Sequence, residues 1–261
     1  MDSHTLAMNR TLGLAMQRKG GWPTTFFDYG YGVLAIEADV RVEKRHASPD
    51  IVLLNKEAAH MLVIDCKGGA NVDLDQDCRY SRMALEDLVE ATRPPCEVAA
   101  HTMAYATSEE GETRIHDHTN FALIVFGRNS VRVNGHLGHD GLTSRLQEGV
   151  PLGGVDIPEE DIYPFSIHDC DGDIDYKVAS AVLAYLAARP EMAIRHLANL
   201  EVARGVLAVA HPLRSHFSTS HERELARATK QSIARLERSG ELDRMLDTLR
   251  RADGGGREPQ G

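Results

Sequence analysis

The four cysteines of this 261-residue chain, Cys66, Cys78, Cys96 and Cys170, form no C-x-x-C pair. Neither a zinc site nor a disulfide framework is expected from them, and a reducing, cytoplasmic compartment fits best. No apolar run is long enough to cross a bilayer. The opening MDSHTLAMNR lacks a basic leader ahead of a long apolar core, so no secretory signal is expected. Internal repeats are absent. The thirteen histidines show no coherent ligand spacing, and His116-Asp117-His118 reads as an exposed polar loop. Asp169, Asp171, Asp173 and Asp175 alternate, but the sixth position of a calcium loop is Ile174 and no Glu stands at the twelfth. An acidic helix N-terminus is the better account of that run.

Hydrophobic residues make up 42% of the chain, an ordinary share for a globular protein. Net charge is −10, which argues against indiscriminate nucleic-acid binding. The distribution matters more than the sum. Acidic residues crowd from Asp140 to Asp175, where Arg145 is the only Lys or Arg. That stretch is expected to face away from DNA or toward a basic partner protein. Basic residues instead surround residues 48–80: Arg41, Lys44, Arg45, Lys56, Arg79 and Arg82.

The chemistry is concentrated in that segment. Ile51 to Leu54 and Met61 to Ile64 are short apolar runs that read as adjacent strands. Asp50, preceded by Pro49, opens the first. Asp65, Cys66 and Lys67 close the second. Strand side chains alternate faces, so Asp65 and Lys67 point the same way, with Cys66 opposite as core. Hairpin pairing would bring Asp50 toward Asp65. Two neighbouring carboxylates repel unless a cation lies between them. Mg²⁺ commonly takes one or two carboxylates, with waters and substrate phosphates completing its shell. A lysine beside it can orient water or offset developing negative charge.

This ordered set resembles the PD-(D/E)XK nuclease superfamily. Pro49-Asp50 matches its first half-motif and Asp65-Cys66-Lys67 its second. Gln76 and Tyr80, one helical turn apart, match the Q-x-x-x-Y pair of the RecB-like branch. The likeness spans roughly residues 1–130. It implies a metal-dependent nuclease hydrolysing phosphodiester bonds in DNA, in defence, restriction or repair, with RNA as a further possible substrate. Mg²⁺ or Mn²⁺ would be held by Asp50, Asp65 and the Cys66 carbonyl. Lys67 would position water, and Gln76 and Tyr80 would contact substrate. The family's Glu on the first helix has no counterpart between Ser3 and Arg18. Asn9 occupies the place of such a residue on that helix, and Glu37 is the better acidic candidate. The alternative is a catalytically inactive nuclease-fold subunit that binds nucleic acid or a partner protein.

The expected fold is α/β: a restriction-endonuclease-like core, with a mixed central sheet flanked by helices, and an α-helical C-terminal region. The expected divisions are 1–170, 171–252 and a flexible tail at 253–261. Within the core, a first helix is expected near 3–18, a strand near 33–42, the two motif strands and a helix near 75–91 broken by Arg93-Pro-Pro. FALIVF at 121–126 suits a strand buried on both faces. Asn134-Gly135 suggests a tight hairpin after a strand at 131–133. Residues 174–210 read as two or three helices. Thr219 and Glu222 have capping-box spacing for another helix. Its stripe is Leu225, Thr229, Ile233 and Leu236, and a second stripe is Leu242, Met245, Leu246 and Leu249. Both are expected to pack on this chain, with docking of a partner protein or a second copy as the alternative. From Arg223 to Arg251 basic residues only modestly outnumber acidic ones, which does not describe a strong DNA clamp.

Overall fold

The computed structural model describes residues 3–16, 21–68, 73–153, 157, 163, 173–187, 200–244 and 247. The chain divides into two compact units, Met1–Tyr163 with His216–Ser220, and Pro164–Ser215 with His221–Gly261.

The first unit opens with α1 (Ser3–Ala15) and α2 (Thr25–Asp28). Then come β1 (Tyr31–Ile36), β2 (Val40–Val42), β3 (Arg45–Ala47), β4 (Ile51–Asn55) and β5 (His60–Cys66). Next are α3 (Leu74–Ser81), α4 (Leu85–Thr92), β6 (Ala100–Ser108), α5 (Glu109–His116) and β7 (Ala122–Phe126). β8 (Ser130–Asn134), α6 (Asp140–Gln147) and β9 (Val150–Pro151) complete it. Seven strands form one sheet in the order β1-β4-β5-β6-β7-β8-β9. β5–β6 and β6–β7 are parallel, and the other neighbours are antiparallel. This is the mixed central sheet flanked by helices that the sequence suggests.

The two motif strands pair as an antiparallel hairpin with Ile51 opposite Ile64. Every residue of β4, β5 and β7 is buried, as continuous apolar runs require. One face packs Tyr80, Met83, Leu88 and Ile115, from α3 to α5, against Val52, Met61, Val63, Met103, Tyr105 and Val125. α1 packs against β1, β4, β5 and β6. Its stripe is broad: nine of its thirteen residues are buried, so it is enclosed rather than laid on a surface.

Three local expectations change, and one strand is unannounced by the sequence. The strand near 33–42 ends at Ile36, because Glu37 takes a left-handed conformation (φ 51°) and donates its N–H to Asp50 O at 2.8 Å. A separate hairpin of β2 and β3 follows. The helix near 75–91 is two helices, α3 and α4, split at Arg82–Ala84. Arg93 does end the second, in a left-handed C-cap (φ 48°) ahead of Pro94. The tight turn lies before β8 rather than after it: Gly127 N–H donates to Ser130 O at 2.9 Å, and Asn134 leads toward α6. Finally, β6 is a central strand. Its sequence, AHTMAYATS, has no apolar run to announce it. Parallel partners on both sides supply what its own propensity does not.

The second unit contains α7 (Asp173–Ala187), α8 (Leu200–Ala210) and most of α9 (Thr219–Arg238); a 3-10 turn at Arg214–His216 precedes α9 in the chain. α7 begins inside the alternating aspartates, where a helix N-terminus is expected; Asp169 and Asp171 lie outside the described residues. Val178, Val182, Tyr185, Val206, Ile233 and Leu242 share one apolar cluster. The first predicted stripe therefore packs within the chain. Of the second, Leu242 is buried, and Met245, Leu246 and Leu249 lie outside the described residues, as does the 253–261 tail. His216–Ser220 belongs to the first unit, where Phe217 bridges Ile36 and Ser218 N–H donates to Ile36 O at 3.1 Å.

Candidate functional site

The hairpin register sets Asp50 across from Asp65, just beyond the last paired residues of β4 and β5. Asp50 and Asp65 are 5% and 2% exposed, an expensive burial for two acids unless each has partners. Each has its own set.

Asp65 is held from one side. Tyr80 O–H donates to its Oδ1 at 2.7 Å, and Gln76 Nε2 reaches the same oxygen at 3.3 Å. Gln76 Nε2 also donates to Tyr80 OH at 2.8 Å, so the helical pair acts as one bracket. Asp65 Oδ2 is ion-paired with the Lys67 ammonium, 2.5 Å away. Lys67 Nζ donates to Gln76 Oε1 at 2.7 Å and lies 5.3 Å from the centroid of the Tyr105 ring. α3 is fixed for this task by its own cap. Asp73 Oδ1 accepts from Asp75 N and Gln76 N at 2.9 and 3.3 Å. Asp77 accepts from Tyr105 O–H and Thr119 O–H at 2.9 and 2.8 Å.

Asp50 is held from the other side. Its Oδ2 accepts the Cys66 backbone N–H and meets His4 Nε2 at 3.1 Å. The Cys66 side chain turns away, buried, with Sγ 3.8 Å from Thr11 Oγ1 on α1. Gly68, just after the lysine, lies against the start of α1: a side chain there would collide with His4 N and stand 2.5 Å from Ser3 Oγ.

Charge reinforces the geometry. Burial, then the charge of Asp50, raises the Asp65 carboxyl above its usual range, against the opposing effects of Lys67 and Tyr80. Burial alone would lower His4. The hydrogen bond to Asp50 and the charges of Asp50, Glu37 and Asp65 outweigh it and raise His4 to about 9. Burial also pushes the Cys66 thiol and the Tyr80 phenol upward.

Five of the residues singled out from sequence thus meet in one hydrogen-bonded cluster: Asp65, Lys67, Gln76 and Tyr80 directly, and Asp50 through the Cys66 N–H and its charge. Glu37 is near enough for its charge to act on His4 and Cys66. Among the described residues, however, no three His, Cys, Asp or Glu side chains form a group that could hold a metal ion. Asp50 and Asp65 are hard oxygen donors of the kind Mg²⁺ or Mn²⁺ takes beside water and phosphate; Asp65 Oδ2 now faces Lys67, and Asp50 Oδ2 faces His4 and the Cys66 N–H. Asn9 is turned elsewhere: it exchanges hydrogen bonds with the Tyr163 backbone, 2.7 Å each. The helix-1 residue that reaches the site is His4. Nothing in its sequence context marks it, because the contact depends on how α1 crosses the sheet. Tyr105 is likewise visible only through the β5–β6 register, which sets it beside Asp65.

The first unit is thus an α/β domain with a buried carboxylate pair at one end of a strand hairpin. The chain belongs to the MJECL32 domain family, whose model matches residues 3–139 and so covers every residue of this cluster. No curated protein and no solved structure matches the chain.

Proposed function

We propose that this protein is a Mg²⁺- or Mn²⁺-dependent nuclease that hydrolyses phosphodiester bonds in DNA. The observation that carries the reading is the Lys67–Asp65–Tyr80–Gln76 network, with Asp50 opposite. It supplies two acidic donors and a cation on one strand end, in the order of the nuclease motif. A bound metal would supply Lewis-acid stabilisation of phosphate oxygens and a nucleophilic water. Asp50 and Asp65 would hold it, with the Cys66 carbonyl and Glu37 as further candidates. Lys67 is placed to orient water or to offset charge on the phosphate. Gln76 and Tyr80 keep Asp65 in one rotamer and border the place a substrate would take.

A second reading has its own support. Asp50 is engaged by His4, and only two carboxylates converge among the described residues. A nuclease-fold subunit that binds nucleic acid or a partner protein without cleaving would be built this way.

One assay separates them. Supercoiled, linear and single-stranded DNA, and RNA, are incubated with Mg²⁺, Mn²⁺ or EDTA. Metal-dependent cleavage is expected, and Asp65→Ala and Lys67→Ala should each lose several orders of magnitude in rate while remaining folded. Near-normal turnover by a folded Asp65→Ala protein overturns the assignment. Binding without cleavage under every metal condition selects the second reading.

A further inference from the structure

The balanced charge count of the C-terminal helices conceals a one-sided arrangement. α9 buries Leu225, Ala226, Thr229, Ser232, Ile233 and Leu236 along one stripe. Its exposed positions include Arg223, Arg227, Lys230 and Arg238. At 100° per residue these four fall within about 80° of arc, opposite the buried stripe. Spacings of four, three and eight residues align them over about 22 Å of helix.

The acidic residues are not arranged to cancel them. Glu222 is committed to Arg214, 2.6 Å from its guanidinium. Glu237 is only partly exposed and its Oε1 is buried without a hydrogen bond. Burial and the nearby Asp243 raise its carboxyl above the usual range. Glu224 alone is acidic and exposed on α9. On α8 the one exposed acid, Glu201, pairs with Arg204 at 2.8 Å. Arg223, Arg227 and Lys230 enter no ion pair among the described residues, and Arg238 bonds only to the Ala234 carbonyl. A surface kept for solubility mixes both signs. Here a chain of net charge −10 keeps a nearly unopposed cationic stripe on the 20-residue helix α9.

We propose that the exposed face of α9 binds the phosphate backbone of nucleic acid, a sequence-independent interaction made by Arg223, Arg227, Lys230 and Arg238. The choice of nucleic acid over other polyanions rests on the nuclease-fold reading above. Along the duplex axis, the 22 Å reach corresponds to the rise of about six base-pair steps. Four cations in line match a line of phosphates; a single anionic group would need a cluster instead. The stripe lies outside residues 3–139, so this surface is an addition to the family domain.

The test uses the full chain in EDTA, where metal-dependent cleavage cannot proceed, and a mixed-sequence 20-base-pair duplex. Kd is measured across a salt series. Arg223→Gln, Arg227→Gln and Lys230→Gln together are expected to raise Kd at least tenfold near 0.1 M salt. The slope of log K against log salt should flatten by about two to three, close to 0.9 for each phosphate that is no longer neutralised. A control removes the same charge at exposed sites elsewhere, Arg93→Gln, Arg114→Gln and Arg128→Gln, and should cost much less. Circular dichroism checks folding; if the triple variant unfolds, Arg227→Gln with Lys230→Gln replaces it. An unchanged Kd and slope, an equal loss in the control, or no duplex binding by the wild type overturns the proposal. So does tighter binding of polyglutamate or of phosphatidylserine vesicles than of the duplex. Cleavage with Mg²⁺ or Mn²⁺ but no α9 effect sinks this inference alone. An α9 effect without cleavage sinks the nuclease reading alone.

Discussion

Tyr80 and Asp65, fifteen residues apart in the chain, are joined by a 2.7 Å hydrogen bond from the phenol to a carboxyl oxygen that is almost sealed from solvent. That bond links a helix whose only buried residue is Tyr80 to the end of a central strand. It stabilises the charged form of an acid that burial would otherwise neutralise.

Tyr80→Phe keeps the ring and removes the donor. A hydrogen bond to a charged group contributes about 1.5–3 kcal/mol. The Asp65 pKa, already raised, should rise further, so the loss should appear above neutral pH, where the carboxyl is ionised. At pH 5 the acid is largely protonated and the loss should shrink. Urea unfolding in EDTA at pH 5 and pH 8 measures both. Equal losses would mean that the phenol serves packing and not the carboxylate.

His4→Ala removes the side-chain partner of Asp50. Because folding raises the His4 pKa from 6.5 to about 9, the pair's contribution is full below 6.5 and disappears as pH rises through 9. The variant should be less stable than wild type by about 1–3 kcal/mol at pH 6 and nearly equal to it at pH 10. A constant difference across that window would remove the ion pair as the cause.

Glu37 and Asp50 can be ranked by metal titration. Asp50→Asn should abolish Mn²⁺ binding measured by calorimetry. Glu37→Gln should weaken it several-fold if Glu37 is a peripheral ligand. Wild-type affinity in Glu37→Gln would exclude that carboxyl from the metal shell.

The far end of β5 has the opposite proton balance. His60 is buried between Tyr31 OH at 2.8 Å and Thr102 Oγ1 at 3.0 Å. Burial first, then His101, His139 and His136, lowers it to about 4. Its folded pKa is below the unfolded value, so stability present above 6.5 is lost as pH falls toward 4. His60→Gln should flatten the fall in urea midpoint between pH 7 and pH 4.5. An unchanged acid limb would assign that fall to other groups.

Gly138 closes over the same histidine with φ 77°, and a Cβ there would collide with His60 Nε2 and Thr102 Oγ1. Gly138→Ala should cost more than about 1 kcal/mol, from the left-handed backbone and the collision together. Thermal unfolding of a neutral-pH sample checks it. Wild-type stability would show that the loop around residue 138 moves aside freely.

The motif strands, their pairing, the Asp65–Lys67 pair and the Gln76–Tyr80 pair are legible in the sequence because each follows from a short-range period; that the helical pair meets the strand pair is implied only by the resemblance to the nuclease superfamily. Alternation sets Asp65 beside Lys67, and one helical turn sets Gln76 beside Tyr80. Long-range partners are not legible. His4 comes from α1, forty-six residues before Asp50, and only tertiary packing brings them together. Strand β6 escapes notice because its Ala and His residues interrupt any apolar run. The α9 stripe is hidden for another reason: a charge tally over a segment discards the angle at which each residue leaves the helix.

Gly68 gives the start of α1 a practical meaning. The backbone at Gly68 lies against the His4 backbone and the Ser3 hydroxyl, leaving no room for a side chain of its own, so the two segments share one wall. A purification tag fused ahead of Met1 begins three residues from the histidine that holds Asp50. Assays on such a fusion would report partly on the tag.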